Sequence, residues 1–376
     1  MHTVSSSLRS NTQFWQKFQT VKMLRGISLL FLVCVFISAS CFAGAPQALN
    51  GYKVLPTITR GNLEIFPVVG GRSQDTSQLM TLDEGVRSGE VIVTEAGDDR
   101  GLVRPGQIVP PRRRGAEVNR LVLYNNSNRP LLLLAGEIVT GGKQDRVIGA
   151  DRIVPPKSGP IDVGVFCVEP GRWVVSTDKF GSMQSQMAQP SVRTPAMAAK
   201  DQRAVWDNVG VANRRMAENA GAAGGVVGGV TSYAKVFASA PVQEKLASYG
   251  GTEDERMLIS KLRSLRAVGV VVAINGRVIW ADIFASTELL SSYWPKLYKS
   301  YVAEAITSGR YVQMQDLTEH DAQAFINDMA GGREIVETEA GVYRRAEISG
   351  DGYRVFQLTS LLPKAEFDVH ITKMRN

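Results

Sequence analysis

Two dipeptides restrict the folds open to this chain. Asn275-Gly276 separates the apolar runs 268–274 and 277–284, and Asp351-Gly352 separates 344–349 and 353–359. Both are tight-turn chemistry between strand-forming segments, so each predicts an antiparallel hairpin. Asn-Gly suits a type I′ turn, whose two central residues need positive φ. Turns this short leave no room for the crossover helix of a βαβ unit, so a parallel doubly wound fold is excluded. Further strands are predicted at 52–55, 63–69, 90–95, 146–154, 161–168 and 364–373. Residues 121–124 and 131–134 read as another hairpin across the turn-rich stretch 125–130.

Helices are predicted in four places outside the middle of the chain. Thr81 and Glu84 form the pattern of a capping box at the start of a short helix. Thr252 is placed to cap a helix over 253–266, with Met257, Leu258, Leu262 and Leu265 on one face. Residues 288–307 follow helical spacing, with Pro295 predicting a kink or a break. Residues 320–329 form the last helix, and His320-Asp321 reads as its capping chemistry. Residues 176–251 are rich in Met, Ala, Gln, Ser and Gly, so two helices are expected around the flexible stretch 221–229, the first near Ala204, Trp206, Val209 and Val211. The fold class is therefore α+β: a β-rich N-terminal portion with antiparallel hairpins, a helical Gly-rich middle, and a mixed hairpin and helix C-terminal portion. The aromatic set Trp280, Phe284, Tyr293, Trp294 and Tyr298 is expected in the core.

Residues 27–43 read ISLLFLVCVFISASCFA. The apolar part is shorter than the ~20 residues of a spanning helix. Lys22 and Arg25 precede it and small residues follow, the arrangement of a secretory signal peptide over 1–43 with cleavage expected after Ala43. Met23 opens a compact form of this signal and is the expected start. Ser38-Ala39-Ser40-Cys41 resembles a lipobox, which makes a lipoprotein anchored at Cys41 the minor alternative. The expected location is periplasmic or secreted, with no membrane span after cleavage.

Cleavage changes the charge. The chain has 43 Lys+Arg and 36 Asp+Glu, a net of +7, but Arg9, Lys17, Lys22 and Arg25 leave with the signal and no acid does. The small remainder gives no reason to expect a nucleic-acid partner. Cys34 and Cys41 leave as well, so Cys167 has no disulfide partner in its own chain. One Cys with His320 and His370 cannot form a Cys/His zinc cage, and neither a metal nor a cofactor is expected.

The densest chemistry lies from Ala135 to Trp173. Gly141-Gly142-Lys143 after an apolar strand imitates a phosphate loop, but the pattern fails at Glu137 and Gln144. What remains is a polar cluster between apolar strands: Glu137, Lys143, Gln144, Asp145, Arg146, Cys167, Glu169, Arg172 and Trp173. On extended backbone Gln144 shares a face with Arg146, and Cys167 with Glu169. Three readings follow. The cluster is a pocket for a small polar or anionic ligand, with Lys143, Arg146 and Arg172 donating and Trp173 stacking beside Glu137, Gln144 and Glu169. Alternatively it is a hydrolase site using Glu137 and Glu169, or Cys167. The third is a salt-bridge network that holds strands together in an envelope protein. Cys167 sits in the apolar run VGVFCV with no His nearby, the setting of a small buried hydrophobe. Arg112-Arg113-Arg114 after two prolines reads as a solvated turn.

These residues carry a family resemblance. Gly136-Glu137, then Gly142-Lys143-Gln144-Asp145-Arg146, then Cys167-Val168-Glu169-Pro170-Gly171-Arg172-Trp173 is similar to the signature of the ARG and rhodanese-phosphatase-superfamily-associated protein domain (ARPP domain), a domain of unknown function. Thr81-Leu82-Asp83-Glu84 and Val93-Thr94-Glu95 match it too. The resemblance covers roughly residues 60–285. It implies an ARPP-like domain over 51–285, with the Gly-rich insertion at about 176–251 inside it and residues 286–376 as an α+β extension packed on it. The family's association with ADP-ribosylglycohydrolase and phosphatase-type domains implies a ligand related to ADP-ribose or nucleotides, without implying a reaction.

Overall fold

The computed structural model describes residues 49, 51–71, 73–96, 119–172, 174, 176–222, 230–309 and 316–376. The expected signal peptide with Cys41, the Arg112–Arg114 turn, Trp173 and most of the Gly-rich stretch lie outside the described residues.

The largest sheet is antiparallel and nine-stranded. β1 (Tyr52–Val54) and β2 (Ile58–Arg60) both pair with β3 (Leu63–Gly70). Beyond β3 come β13 (Gly269–Ile274), β14 (Arg277–Phe284), β18 (Ala365–Arg375), β17 (Tyr353–Leu362), β16 (Tyr343–Gly350) and, at the edge, β15 (Arg333–Glu339). β13 is apolar throughout because both of its faces are covered. Val270, Val272 and Ile274 enter the main core, while Val271 and Ala273 join a second core with Phe325 and Ile326 of helix α8 (Glu319–Asn327). Both predicted hairpins form. Asn275 and Gly276 take φ of +53° and +70° between β13 and β14, and Gly350 faces Tyr353 across Asp351-Gly352.

Two smaller sheets complete the β structure. One joins β4 (Met80–Thr81), β7 (Leu131–Leu133) and β10 (Arg152–Val154). The other runs in the order β12 (Gly181–Met187), β8 (Glu137–Thr140), β9 (Arg146–Ile148), β11 (Ser158–Cys167), β6 (Arg120–Asn125) and β5 (Val91–Glu95). The hairpin expected over 121–134 does not form: β6 pairs with β5 and β11, while β7 pairs with β4 and β10. The Asn125 amide donates to the carbonyls of Arg129, Val154 and Pro155, so the turn residues redirect the chain into another sheet. The single strand expected over 146–154 is likewise two, in different sheets. It breaks where Asp151 turns aside to accept the Ala135 N–H at 2.7 Å.

The helices are α1 (Leu82–Arg87), α2 (Pro190–Thr194), α3 (Gln202–Asn219), α4 (Tyr233–Phe237), α5 (Ala240–Ala247), α6 (Gly251–Ser264), α7 (Thr287–Ser308) and α8, with a π-helical turn at Pro195–Ala199. α1 opens with the predicted Thr81–Glu84 capping box, and Thr318 with Asp321 forms another on α8. Three local expectations are corrected. The N-cap of α6 is Gly250, not Thr252, and Met257 faces outward. α3 buries Val205, Val209, Ala212 and Met216, leaving Trp206 and Val211 at the surface. Of the two outcomes expected at Pro295 the break is absent, and α7 continues through it because burial on most of its circumference outweighs one lost backbone bond. The five expected core aromatics are all buried. Among the described residues no helix is long and apolar enough to cross a membrane. Strands β15 to β18 continue the sheet begun by β1 to β3, so the C-terminal segment completes an α+β structure instead of forming a sheet of its own.

Candidate functional site

The residues from Glu137 to Arg172 fall into two ion-pair clusters. Glu137 starts β8 and is fully buried. Its Oε1 meets Lys296 Nζ of α7 at 2.6 Å, and its Oε2 accepts the Leu134 N–H at 2.9 Å. The same ammonium meets Asp83 of α1 at 2.8 Å. Burial opposes the charge on Lys296, but Glu137 and Asp83 overcome it and raise its pKa above the ordinary value.

The second cluster is built by β9, the end of β11, the loop between β8 and β9, and the turn that follows β11. Arg146 stands opposite Val139 on one side and Cys167 on the other. It is fully buried, with Glu95 at 3.9 Å, and burial lowers its pKa. Glu169 is nearly as deep. Its Oε2 accepts Arg172 Nε at 2.7 Å and the Asp145 N–H at 3.2 Å. Arg172 also donates to Asp145 Oδ1 at 3.3 Å and to the carbonyls of Gly142 and Val174 at 3.0 Å. The hydrogen bond to Glu169 raises its pKa. Gln144 reaches the Glu169 carbonyl, and the Lys143 N–H donates to Glu95 at 2.9 Å. Gly142, at φ +51°, admits no side chain, since a Cβ would lie 2.3 Å from the Phe180 ring.

Arg146, Glu169, Arg172, Gln144 and Cys167 are thus gathered together, while Glu137 is drawn away to α7. The two carboxylates expected to act as a pair sit in separate clusters. Cys167 is buried, its Sγ accepts the Glu169 N–H at 3.3 Å, and burial raises its pKa, so the thiol stays protonated at neutral pH.

A third cluster belongs to no motif in the sequence. Asp282 of β14 is fully buried and accepts from Arg193 at 3.1 and 3.3 Å, Trp280 Nε1 at 2.9 Å, Tyr301 at 2.5 Å and Thr372 at 2.8 Å. His370 of β18 lies between two carboxylates, with Nδ1 2.6 Å from Asp151 and Nε2 3.3 Å from Asp282. The one signal in the sequence is an acid inside the apolar run IWADIF. Burial alone would lower the His370 pKa, but Asp151 and Asp282 raise it from 6.5 to about 9. A folded-state pKa above the unfolded one stabilises fully below the unfolded value and is lost as pH rises through the folded value. Urea titrations should therefore show stability falling from about pH 6.5 to about pH 9, by on the order of 2–3 kcal/mol. Lys373, lowered to about 8 by burial, acts in the opposite sense above pH 8. The His370 contribution is thus the difference from His370→Gln, and an identical slope in that variant would refute it.

A recess lies away from these clusters. It opens between the β9–β10 turn, the π-helical turn and the strands β15 to β17, and a neighbouring recess continues along β11. Their walls include Met197, Phe356 and Phe166, and their rim carries Lys200, Arg345 and Arg152. Lys200 ends the π-helical turn in the left-handed region, at φ +51°. Strained backbone and π-helical turns concentrate at functional sites. The rim cations meet carboxylates at 2.8 Å (Lys200 to Glu347) and 2.9 Å (Arg152 to Glu339), and Arg345 pairs with Glu337. The Glu337 side chain is 62% exposed and that of Glu339 36% exposed, whereas Glu137 and Glu169 are 0% and 3% exposed. No local pattern joins residues 149–152, 163–166, 196–200 and 335–357, so only the tertiary fold reveals this cleft.

No curated protein and no solved structure matches the chain. One family model does match, over residues 51–372, and so takes in the C-terminal strands that the motif resemblance leaves outside. The chain therefore belongs to the ARG and Rhodanese-Phosphatase-superfamily-associated Protein domain family.

Proposed function

We propose that the chain is an exported binding module that takes a small ligand, with an anionic group and an apolar body, into the cleft beneath β15 to β17. One observation carries this reading: the rim cations are paired with carboxylates of which two are substantially exposed, around an apolar recess. Exposed pairs contribute little to stability, so a ligand anion can replace the carboxylates at small cost. Arg172 and Lys296, in contrast, are bound to buried carboxylates and serve the fold. The word phosphatase in the family description makes phosphorylated compounds the first to try.

Protein recovered after export should begin at Gly44 on N-terminal sequencing; an intact Met1 or Met23 overturns export. That protein should be screened by thermal shift against nucleotides, ADP-ribose, sugars and cell-wall fragments. A saturating ligand should raise Tm by roughly 5 °C. Lys200→Ala and Arg345→Ala should keep the ligand-free Tm nearly unchanged and abolish the rise. A rise lost in a folded Arg172→Ala but kept in Arg345→Ala would move the ligand to the Glu137–Trp173 cluster.

A further inference from the structure

The free edge of the nine-stranded sheet has the features of a pairing surface. β15 bonds to β16 in unbroken register from Arg333 to Glu339, and among the described residues no strand pairs with its other edge. Natural edge strands avoid association by being short, bulged or interrupted by Lys or Pro. β15 has seven residues, no bulge and no Lys or Pro, and of its four charged residues the three Glu are already paired with Arg344, Arg345 and Arg152 of the same copy. It also carries Ile335 and Val336, exposed at 66% and 46%.

We infer that β15 pairs antiparallel with β15 of a second copy of this chain, across a two-fold axis at Val336. Such an isologous contact closes on itself and leaves no further edge at this site. The register places Arg333 of each copy opposite Glu339 of the other. Glu334 then faces Thr338, Ile335 faces Glu337, and Val336 meets its own counterpart. Directly opposite residues share a face, so on one face the two Arg333–Glu339 pairs lie outside the two Ile335–Glu337 pairs, while Val336 and its counterpart meet on the other. Arg333 has no ion pair among the described residues, which leaves it available. Glu334, Glu337 and Glu339 are each paired within their own copy, to Arg344, Arg345 and Arg152, which offsets repulsion between like charges. Seven residues of strand pairing make a small interface, so the dissociation constant is expected on the order of 10 µM. Ile335 and Glu337 also border the cleft, but the pairing does not depend on a ligand there.

Sedimentation velocity of the protein should show monomer converting to dimer between about 1 and 200 µM. Val336→Lys sets two ammonium groups against each other at the axis, and Arg333→Glu sets Glu against Glu339. Each should weaken association at least tenfold with Tm unchanged, whereas Met257→Lys, on the exposed side of α6, should leave it unaltered. Amide exchange within 333–339 should slow with concentration in the wild type and not in Val336→Lys. A wild-type chain that stays monomeric throughout, an open-ended aggregate, or a dimer indifferent to both variants overturns the pairing.

Discussion

Asp282→Ala should destabilise the fold by about 3–5 kcal/mol in urea denaturation. The carboxylate is the shared acceptor for Arg193, Trp280, Tyr301 and Thr372 and lies 3.3 Å from His370 Nε2, all of these residues being buried. Removing it leaves an uncompensated guanidinium stacked on Trp280, with its carbon 4.6 Å from the ring centroid, where water cannot replace the lost acceptor. The damage spreads because the donors come from α2, α7, β14 and β18. Asp282→Asn keeps the shape and one acceptor but no charge, so it should fall between wild type and Asp282→Ala. Adding Arg193→Met to Asp282→Ala should recover part of the loss, since no unpaired charge then remains. A loss under about 1 kcal/mol for Asp282→Ala would show that this network does not hold the sheet to its helices.

Lys296→Met should cost about 3–4 kcal/mol, because it strands Glu137 and Asp83 around an apolar side chain. The sign of its pH dependence follows from the same geometry. Without the ammonium, buried Glu137 favours its neutral form, so the deficit should shrink as pH falls toward about 5. Glu137→Gln combined with Lys296→Met should recover much of the stability, and a double-mutant cycle gives the coupling. Equal destabilisation at about pH 5 and about pH 8 would show that packing, not charge, is what the lysine contributes. If Glu137→Gln proved as stable as wild type while abolishing ligand binding, Glu137 would belong to a site and not to the frame.

Much of the fold was legible in local chemistry. Asn275-Gly276 and Asp351-Gly352 act over a few neighbouring residues, and their hairpins form as predicted. The Thr81–Glu84 box acts within one helical turn, and it too is present. Errors began where a local pattern had two uses. The stretch 125–130 has turn composition, but Asn125 sends its amide to the distant carbonyls of Val154 and Pro155, and the chain leaves for another sheet. Pro295 would interrupt a helix standing alone, yet α7 continues through it, held by tertiary burial that a propensity cannot register.

The candidate site divides the same way. The sequence by itself marked Glu137, Arg146, Glu169 and Arg172 as polar groups between apolar strands that had to be paired if buried, because an unpaired buried charge is too costly to keep. It did not determine the partners. Lys296 lies 159 residues beyond Glu137, and Asp151 meets His370 across 219. The cleft rim brings together Arg152, Lys200 and Arg345 from three parts of the chain. Turns and caps are decided by atoms a few bonds apart, so a short window contains their cause. Ion-pair partners and cleft walls are decided by which sheets and helices pack together, and that choice belongs to the tertiary structure alone.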